Sequence, residues 1–387
     1  MNKELNNDNT KIKFISILLC IFLFSIPFDT FVVFENFSLV KFIAIVLIIV
    51  SLFYLKKRKV FYDKTIILVF ALTLYTLMQL LFTEYNSDVI SSFITFLMYS
   101  IIIFLIIQID FNEKEKRMFI VSLCLMSLFC IILTFIFPYY YEGRLTIKFF
   151  DMRREDPNQF AGYLIPGLLF FFDRILNNKK GKIINSFFTI LILYFLLLTG
   201  SRGALLAAIM GMSTIFIFDK NSKLMSIKTL KKIFILFFLG ICVILIFKFL
   251  PSFLNERFNI SYMLADGGTG RIEIWDFFIS LFNKSSLFYK LFGYGSGCLS
   301  SLYYRIAHNT WIEVLIGSGF FGLIIFLKLM INIFKNLLKI NNNLLMGLFF
   351  SILGLTMTLS LLAYKPLWIF IMISILLKNK SNNYMED

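Results

Sequence analysis

Three short stretches of this sequence place arginine or histidine beside small residues, and these side chains could do chemistry. Thr199-Gly200-Ser201-Arg202-Gly203 is a short turn between two apolar segments, Gly267-Gly268-Thr269-Gly270-Arg271 leads into an amphipathic stretch, and His308 precedes another apolar segment. The planar guanidinium of arginine holds phosphate or carboxylate at two points and stays protonated. His308 is the only histidine of the chain, and imidazole can accept a proton near neutral pH. These residue types indicate an anion site with a base beside it.

Each of these residues also has a plainer interpretation. Arg202 could be an interfacial anchor, Arg271 an ordinary charge in a glycine loop, and His308 a bystander at a helix start. A charge at membrane level without a partner is costly, however, which makes function the default hypothesis for Arg202. If a helix begins at Arg271, its free N–H groups favour an anion. If Asn309 or Thr310 caps the next helix, the helix dipole keeps His308 neutral and available as a base.

The elements that must position these residues are membrane helices. The 387 residues are 59% hydrophobic and 16% charged, with a mean hydropathy of +0.83, whereas a soluble domain of this length leaves more of its chain polar. Because a spanning helix needs about 20 mostly apolar residues, cutting the chain at its charge clusters predicts one all-α, polytopic domain over residues 1–387. Its twelve helices, or eleven without the short last one, cover approximately 12–28, 38–55, 65–82, 89–109, 118–138, 158–173, 184–199, 203–219, 233–250, 309–331, 344–363 and 365–377.

Lysine predicts the orientation of these helices. With the N-terminus in the cytoplasm, 25 of the 38 basic residues fall in inside loops, as the positive-inside rule expects, and both termini are cytoplasmic. Two outer connections are long, 139–157 and 251–308, and long outer loops are where chemistry is expected. The formal charge of +15 lies in short clusters between apolar runs, so we expect the lipid bilayer and not nucleic acid as a partner.

Arginine has the opposite distribution. Of 10 arginines, seven fall on the predicted outer side: Arg144, Arg153, Arg154, Arg202, Arg257, Arg271 and Arg305. An outer ligand that carries phosphate explains seven exceptions to a rule that depletes positive charge there. The alternative is that these arginines form solvated ion pairs with the carboxylates of the same loops, namely Glu142, Asp151, Glu155, Asp156, Glu256, Glu273 and Asp276.

Other patterns do not indicate a metal or a cofactor, and we expect neither. Gly317-Ser318-Gly319-Phe320-Phe321-Gly322 matches the dinucleotide-binding pattern, but it lies within an apolar segment and follows no strand. Close packing by small residues explains it better. The five cysteines show no paired spacing. The middles of the apolar segments are almost uncharged, which argues against a transporter such as a flippase of lipid-linked glycans.

Together these residues resemble the O-antigen polymerase and O-antigen ligase superfamily of bacterial membrane glycosyltransferases. The likeness covers roughly residues 150–330, whereas the first five apolar segments match only in topology. It is carried by Thr199-Gly200-Ser201-Arg202-Gly203-Ala204, by Thr269-Gly270-Arg271-Ile272-Glu273-Ile274-Trp275 with Gly293-Tyr294-Gly295-Ser296-Gly297, by His308-Asn309-Thr310-Trp311-Ile312-Glu313-Val314 through Gly319-Phe320-Phe321-Gly322, and more weakly by Asp156-Pro157-Asn158-Gln159-Phe160-Ala161-Gly162.

The resemblance implies a GT-C-like fold and a metal-independent, inverting glycosyl transfer on the outer face of the bacterial cytoplasmic (inner) membrane. The donor would be a glycan on undecaprenyl pyrophosphate. Arg202 and Arg271 match the family's arginines and would neutralise charge on the leaving pyrophosphate, and His308 matches the histidine that would take the proton of the acceptor hydroxyl. Further candidates for substrate binding are Arg144, Arg153, Arg154, Asn158, Arg305 and Asn309.

The acceptor decides between two activities. A polymerase of surface polysaccharide adds the growing glycan to a lipid-linked repeat unit, whereas a ligase hands the finished glycan to lipid A core. The Lys-, Asn-, Ile- and Phe-rich composition suggests an AT-rich genome, and many such bacteria lack lipid A, so we expect the polymerase and keep the ligase as the alternative. A flippase and a chain-length regulator are the expected protein partners.

Overall fold

The computed structural model describes residues 12–34, 37–55, 62–177, 181–218, 240–241, 245, 248–259, 261, 270–304 and 306–378. Within these ranges the chain is mostly helical. The helices are α1 Phe14–Phe24, α2 Leu39–Tyr54, α3 Lys64–Gln79, α4 Asn86–Gln108, α5 Glu113–Ile136, α6 Pro157–Asn177, α7 Lys182–Leu198, α8 Arg202–Ile217, α9 Ser252–Arg257, α10 Arg271–Lys284, α11 Leu287–Phe292, α12 Leu299–Tyr303, α13 Thr310–Ile340, α14 Asn343–Thr356 and α15 Lys365–Leu376.

Two short antiparallel hairpins depart from the all-helical prediction. Strands β1 (Val32–Phe34) and β2 (Phe37–Ser38) pair between α1 and α2. Strands β3 (Pro138–Tyr141) and β4 (Arg144–Ile147) pair between α5 and α6, within the connection that the sequence predicted as a long loop. Two residues with positive φ form the turn of the second hairpin, Glu142 at 49° and Gly143 at 73°, a two-residue turn whose twist suits paired strands.

The apolar helices follow the predicted segments closely. Four of them, α4, α5, α6 and α13, are long and apolar enough to cross a membrane, and seven shorter apolar helices accompany them in the described part of the chain. These eleven correspond to eleven of the twelve predicted segments. The ninth segment, 233–250, lies mostly outside the described residues, so the count of twelve stays a prediction. A polytopic helical membrane protein is the fold class that these helices support.

Contacts between helix ends divide the bundle into two ends. At one end, Lys13 donates its backbone N–H to Oε1 of Glu115 at 2.9 Å, and Nζ of Lys378 lies 2.6 Å from Oδ2 of Asp63. At the other, which we call the arginine end, Arg144 donates from Nε to the carbonyl of Thr199 at 2.8 Å. The start of α1 therefore lies beside the start of α5, and the end of α15 lies beside the start of α3.

Small residues bring α8 and α14 into close contact and so fix the start of α8. An added Cβ on Gly211 would lie 2.1 Å from Oγ of Ser351, and one on Gly354 would lie 2.9 Å from the α-carbon of Ala207. Ser351 donates its hydroxyl to the carbonyl of Ala207 at 2.8 Å. Small residues at such contacts allow backbones to approach within a membrane. This packing holds the first residue of α8, Arg202, at the arginine end.

Helix α13 is broken inside the apolar segment, at the glycine-rich sequence. Gly319 has φ 62° and ψ −168°, and the loop before α12 replaces the lost helical bonds, since Gly295 donates to the carbonyl of Gly317 at 2.9 Å. Gln79 of α3 also donates to the carbonyl of Gly317, at 2.7 Å, and its Oε1 accepts from the N–H of Ser296 at 2.9 Å. The dinucleotide-like pattern therefore serves close backbone packing, as expected.

Candidate functional site

The short turn between α7 and α8 holds two arginines by their Nε atoms. Arg144 of β4 donates from Nε to the carbonyl of Thr199 at 2.8 Å. Arg257, the last residue of α9, donates from Nε to the next carbonyl, that of Gly200, at 2.9 Å. Gly200 has a φ of 60°, and an added Cβ there would lie 3.3 Å from Cγ of Arg144 and from Cδ of Arg257. A side chain at this position would be strained by the positive φ and would press on both arginines.

Arg202 joins the same assembly from the start of α8. Its Nε donates to the backbone carbonyl of Arg257 at 2.7 Å. Arg144 makes a second hydrogen bond, because its Nη2 donates to Oδ1 of Asn158 in the first turn of α6 at 2.7 Å. Two guanidinium groups, those of Arg144 and Arg257, are thus anchored to one turn, and Arg202 is anchored to the backbone of Arg257.

Arg271 approaches this group from the predicted amphipathic helix. It is the first residue of α10, after Gly270 with φ 72°, so the expected helix start is confirmed. Burial lowers the pKa of the half-buried Arg271, and the charges of Arg257 and Arg202 lower it further, whereas Asp156 opposes them. Within the described residues its guanidinium makes no hydrogen bond or ion pair. We refer to Arg144, Arg202, Arg257 and Arg271 as the arginine cluster.

A tryptophan attaches α10 to the chain just before His308. Trp275 follows Arg271 by four residues, which places both on one face of the helix. Its indole Nε1 donates to the carbonyl of Ala307 at 2.8 Å. Ala307 is fully buried in a small hydrophobic cluster that includes Ile274 and Phe278 of α10 and Ile316 of α13. This cluster seats α10 against the start of α13.

His308 stands at the entry to α13, beside the arginine cluster. Its backbone φ is 48°, and Asn309 is the helix cap, since its Oδ1 accepts from the N–H groups of Trp311 and Ile312 at 3.0 and 3.2 Å. Burial lowers the pKa of His308 below its ordinary value of 6.5, and the charge of Arg271 lowers it further. The imidazole is therefore neutral at physiological pH and able to accept a proton.

Two members of the arginine cluster, Arg144 and Arg271, are not neutralised by an ion pair with a carboxylate of the described residues. Asp156 influences Arg144, Arg271 and His308 electrostatically, but its Oδ1 caps α6 by accepting from the N–H of Asn158 at 2.8 Å. Arg144 and Arg271 form no ion pair with a described carboxylate, so the ion-pair alternative is not supported for these two residues.

Glu155 cannot serve as a counter-ion either. Its side chain is buried, with Oε2 lacking a hydrogen-bond partner in the described part of the chain. Burial, with a smaller contribution from the charge of Asp156, raises the pKa of Glu155 to about 8. The carboxyl is therefore mostly protonated at neutral pH and adds little negative charge to the arginine end.

The other residues predicted to bind substrate either lie outside the arginine cluster or form contacts with neighbouring residues. Arg153 is exposed, and the guanidinium carbon of Arg154 lies 3.5 Å from the centre of the Tyr141 ring. Asn158 orients Arg144, and Asn309 caps a helix, so each has a structural partner. Arg305 lies outside the described residues. Sequence reasoning gave no role to Arg257, although its place on the predicted outer side was a signal for it.

Metal ligands do not gather here: within the described residues no group of three or more His, Cys, Asp or Glu side chains could hold a metal ion.

Fold and site together define a polytopic helical membrane protein in which an arginine cluster lies beside the only histidine of the chain. Residues 187–327 match the family model described as O-antigen ligase. This match confirms the resemblance to the O-antigen polymerase and ligase superfamily that the sequence predicted. The match contains Arg202, Arg257, Arg271 and His308, whereas Arg144 precedes it. No curated protein matches the chain.

Proposed function

We propose that this protein is a membrane glycosyltransferase that moves a glycan from a lipid pyrophosphate to an acceptor hydroxyl. The observation that carries this proposal is the arginine cluster beside a neutral His308. Arg257 and Arg271 act electrostatically on Arg144, and Arg257 and Arg202 act on Arg271. Asp156 opposes them at both residues, and the exposed Glu142 opposes them at Arg144. Arg144 and Arg271 form no ion pair with a described carboxylate, and positive charge of this kind supports an anionic ligand.

The chemistry follows from where charge develops. The acceptor oxygen attacks the anomeric carbon, the bond from that carbon to the pyrophosphate oxygen breaks, and the electron pair of that bond leaves with the pyrophosphate. The pyrophosphate gains a negative charge in this step, so guanidinium groups fixed in advance stabilise the transition state more than the bound donor. The proton of the acceptor hydroxyl passes to a ring nitrogen of His308. Attack opposite to the leaving group inverts the anomeric centre.

The proposed site lies on the outer face of the bacterial cytoplasmic membrane, with both termini in the cytoplasm and undecaprenyl pyrophosphate as the lipid carrier. The GT-C-like architecture is part of this proposal. The lysine distribution supports this orientation. A reporter that is active only outside the cytoplasm should be active when inserted within 139–157 and silent when fused at Asp387, and the opposite pair of signals would invert the topology.

The acceptor separates polymerase from ligase. We favour the polymerase of surface polysaccharide, with a lipid-linked repeat unit as acceptor, on the composition of the chain. The matched family model bears the description O-antigen ligase, which supports equally the transfer of the glycan to lipid A core. Purified protein offered both acceptors with one lipid-linked donor will distinguish them, because each activity predicts product on one acceptor only.

The residue roles are tested by three substitutions in the purified protein. Arg202→Lys and Arg271→Lys keep the charge but remove the two-point geometry, and loss of a hydrogen bond to a charged group, about 1.5–3 kcal/mol, should lower the turnover at least tenfold. His308→Ala should lower turnover by about 10²- to 10⁴-fold while donor binding stays within a few-fold. Normal turnover in any of the three folded variants would remove that residue from the mechanism.

A further inference from the structure

Gln79, the last residue of α3, joins the 293–297 loop and the end of α11 to the broken helix α13. Its side chain is fully buried. The amide Nε2 donates to the carbonyls of Phe292 and Gly317 at 3.0 and 2.7 Å, and Oε1 accepts from the N–H and the hydroxyl of Ser296 at 2.9 and 2.7 Å. A side-chain amide has two donor hydrogens and two lone pairs, so all of its hydrogen-bonding capacity is used here.

The loop is also fixed to α10, the helix that begins at Arg271. The hydroxyl of Ser285, the residue that follows α10, lies 2.7 Å from the hydroxyl of Tyr294 in the loop. The ring of Tyr294 stacks on that of Tyr289 in α11, with the ring centres 4.4 Å apart. Helices α10 and α11 and the loop therefore form one packed unit, and a displacement of the loop would move α10 as well.

The other segment that Gln79 holds is the start of α13, which follows His308. Gly319 interrupts α13 with φ 62° and ψ −168°, so a short piece of helix, 310–318, stands between His308 and the break. Contacts at the break set the orientation of this piece, because the hydrogen-bond ladder of the helix is interrupted there. Gln79 binds the carbonyl of Gly317, at the end of the piece next to the break.

We propose that Gln79 is a positioning residue of the transfer reaction, which fixes the helix that carries Arg271 relative to the piece of α13 that follows His308. The inference rests on the proposed function. All hydrogen bonds of the amide go to α11, the loop and α13, so it acts through the segments that it holds. Gln79 precedes the region of the family match, and α3 thereby contributes to the geometry of the site.

The test compares Gln79→Met with Asn336→Leu in the purified full-length protein. Asn336 is the matched control, because it is also a buried amide, 3% exposed, and links α13 to α3 near their opposite ends by donating to Oγ1 of Thr65 at 3.0 Å. Since a misplacement of about 1 Å can lower the rate about 10²-fold, Gln79→Met should lower kcat about 10- to 100-fold, with the KM for the lipid-linked donor within about threefold. Asn336→Leu should keep kcat within about threefold of wild type.

The pH–rate profile adds a readout that a loss of stability alone would not change. Burial and the charge of Arg271 lower the pKa of His308. Of the other charged groups that act on His308, Arg144 lowers this pKa and Asp156 raises it. Loosening α10 from α13 weakens the effects of burial and of Arg271, so the pKa rises and the acid limb should move to higher pH in the Gln79 variant. The limb should stay in place in the control.

A milder variant keeps the inference testable where Gln79→Met does not fold. Ser296→Ala removes one hydrogen bond to Oε1 of Gln79 and should lower kcat about 3- to 10-fold. Wild-type kcat in every folded variant of Gln79 and Ser296, or equal losses in Gln79→Met and Asn336→Leu, would overturn the inference. In that case, glycan transfer by wild-type protein leaves the proposed function standing. Absence of transfer from a lipid-linked donor by wild-type protein would overturn both.

Discussion

Replacing Trp275 by phenylalanine should lower turnover without preventing folding. The substitution keeps an aromatic ring in the contact between α10 and α13 but removes the N–H that donates to the Ala307 carbonyl at 2.8 Å. Ala307 is fully buried, so water cannot replace the lost donor. Leaving a buried carbonyl without a partner costs about 1–3 kcal/mol.

Part of this free-energy cost should raise the activation barrier, because the hydrogen bond joins α10, which carries Arg271, to the residue before His308. Arg271 lies one turn before Trp275 on α10, and His308 directly follows Ala307. If the bond sets the separation of these two groups, its loss reduces turnover by about 5- to 150-fold. The KM for the donor should change less than about threefold, because the arginine cluster remains in place.

Trp368→Phe provides a matched comparison. Nε1 of Trp368 also donates to a backbone carbonyl, that of Leu362, at 2.8 Å, and Trp368 is more deeply buried, at 1% exposure. The melting temperature of Trp368→Phe should fall at least as far as that of Trp275→Phe, while the turnover of Trp368→Phe stays within about threefold of wild type. Glycan transfer by both purified variants, with kcat and KM determined separately, is the assay. Wild-type kcat in folded Trp275→Phe, or equal losses in both variants, would refute the positioning role.

Three further predictions concern the same region. Activity should fall as the pH drops through the pKa of His308, which lies below 6.5. Asp156→Asn removes a charge that raises this pKa, so it should move the acid limb of the pH–rate profile to lower pH. An acid limb that does not move would exclude His308 as its origin. Gly293→Ala and Gly270→Ala both introduce a side chain at positive φ, a strain of about 1–2 kcal/mol. Of these two positions, only at Gly293 would the Cβ meet backbone, at 2.4 Å from the carbonyl oxygen of Gly317. Thermal unfolding should therefore show that Gly293→Ala loses about 1–3 kcal/mol more stability than Gly270→Ala. Thr310→Val removes a hydroxyl that donates to the carbonyl of Leu359 at 2.6 Å and accepts from the N–H of Leu361 at 2.9 Å. The variant should have a lower melting temperature and a lower turnover. An unchanged melting temperature would contradict these hydrogen bonds.

Local patterns in the sequence were enough to predict several features of the site. The glycine before Arg271 and the amphipathic run after it predicted a helix start, and the structure has one. Asn309 was one of two expected caps, because its short amide reaches the free N–H groups of the next turn. The glycines of α13 were expected to serve packing. Each of these features depends on residues within a few positions along the chain.

The remaining features depend on contacts between distant residues. Arg144 and Arg257 lie 55 and 57 positions from the carbonyls that hold them, and no local periodicity encodes such a distance. The break in α13 was not predicted, because its cause is the packing of the 293–297 loop and Gln79 against Gly317 and Gly319. The hairpin at 138–147 was missed because it is short and stands in a segment of mixed polarity.

One measurement tests the central claim most directly, namely that the protein transfers glycan from a lipid pyrophosphate by means of its arginine cluster and His308. Purified wild-type protein and Arg271→Lys are incubated with lipid-linked glycan repeat units and lipid A core in the absence of sugar nucleotide, and the products and the released polyprenyl pyrophosphate are quantified. We expect glycan transfer by wild-type protein, with one polyprenyl pyrophosphate released for each glycosidic bond formed, and a loss of at least tenfold in folded Arg271→Lys. Transfer that occurs only after a sugar nucleotide is added, or equal transfer by the two proteins, would contradict the claim.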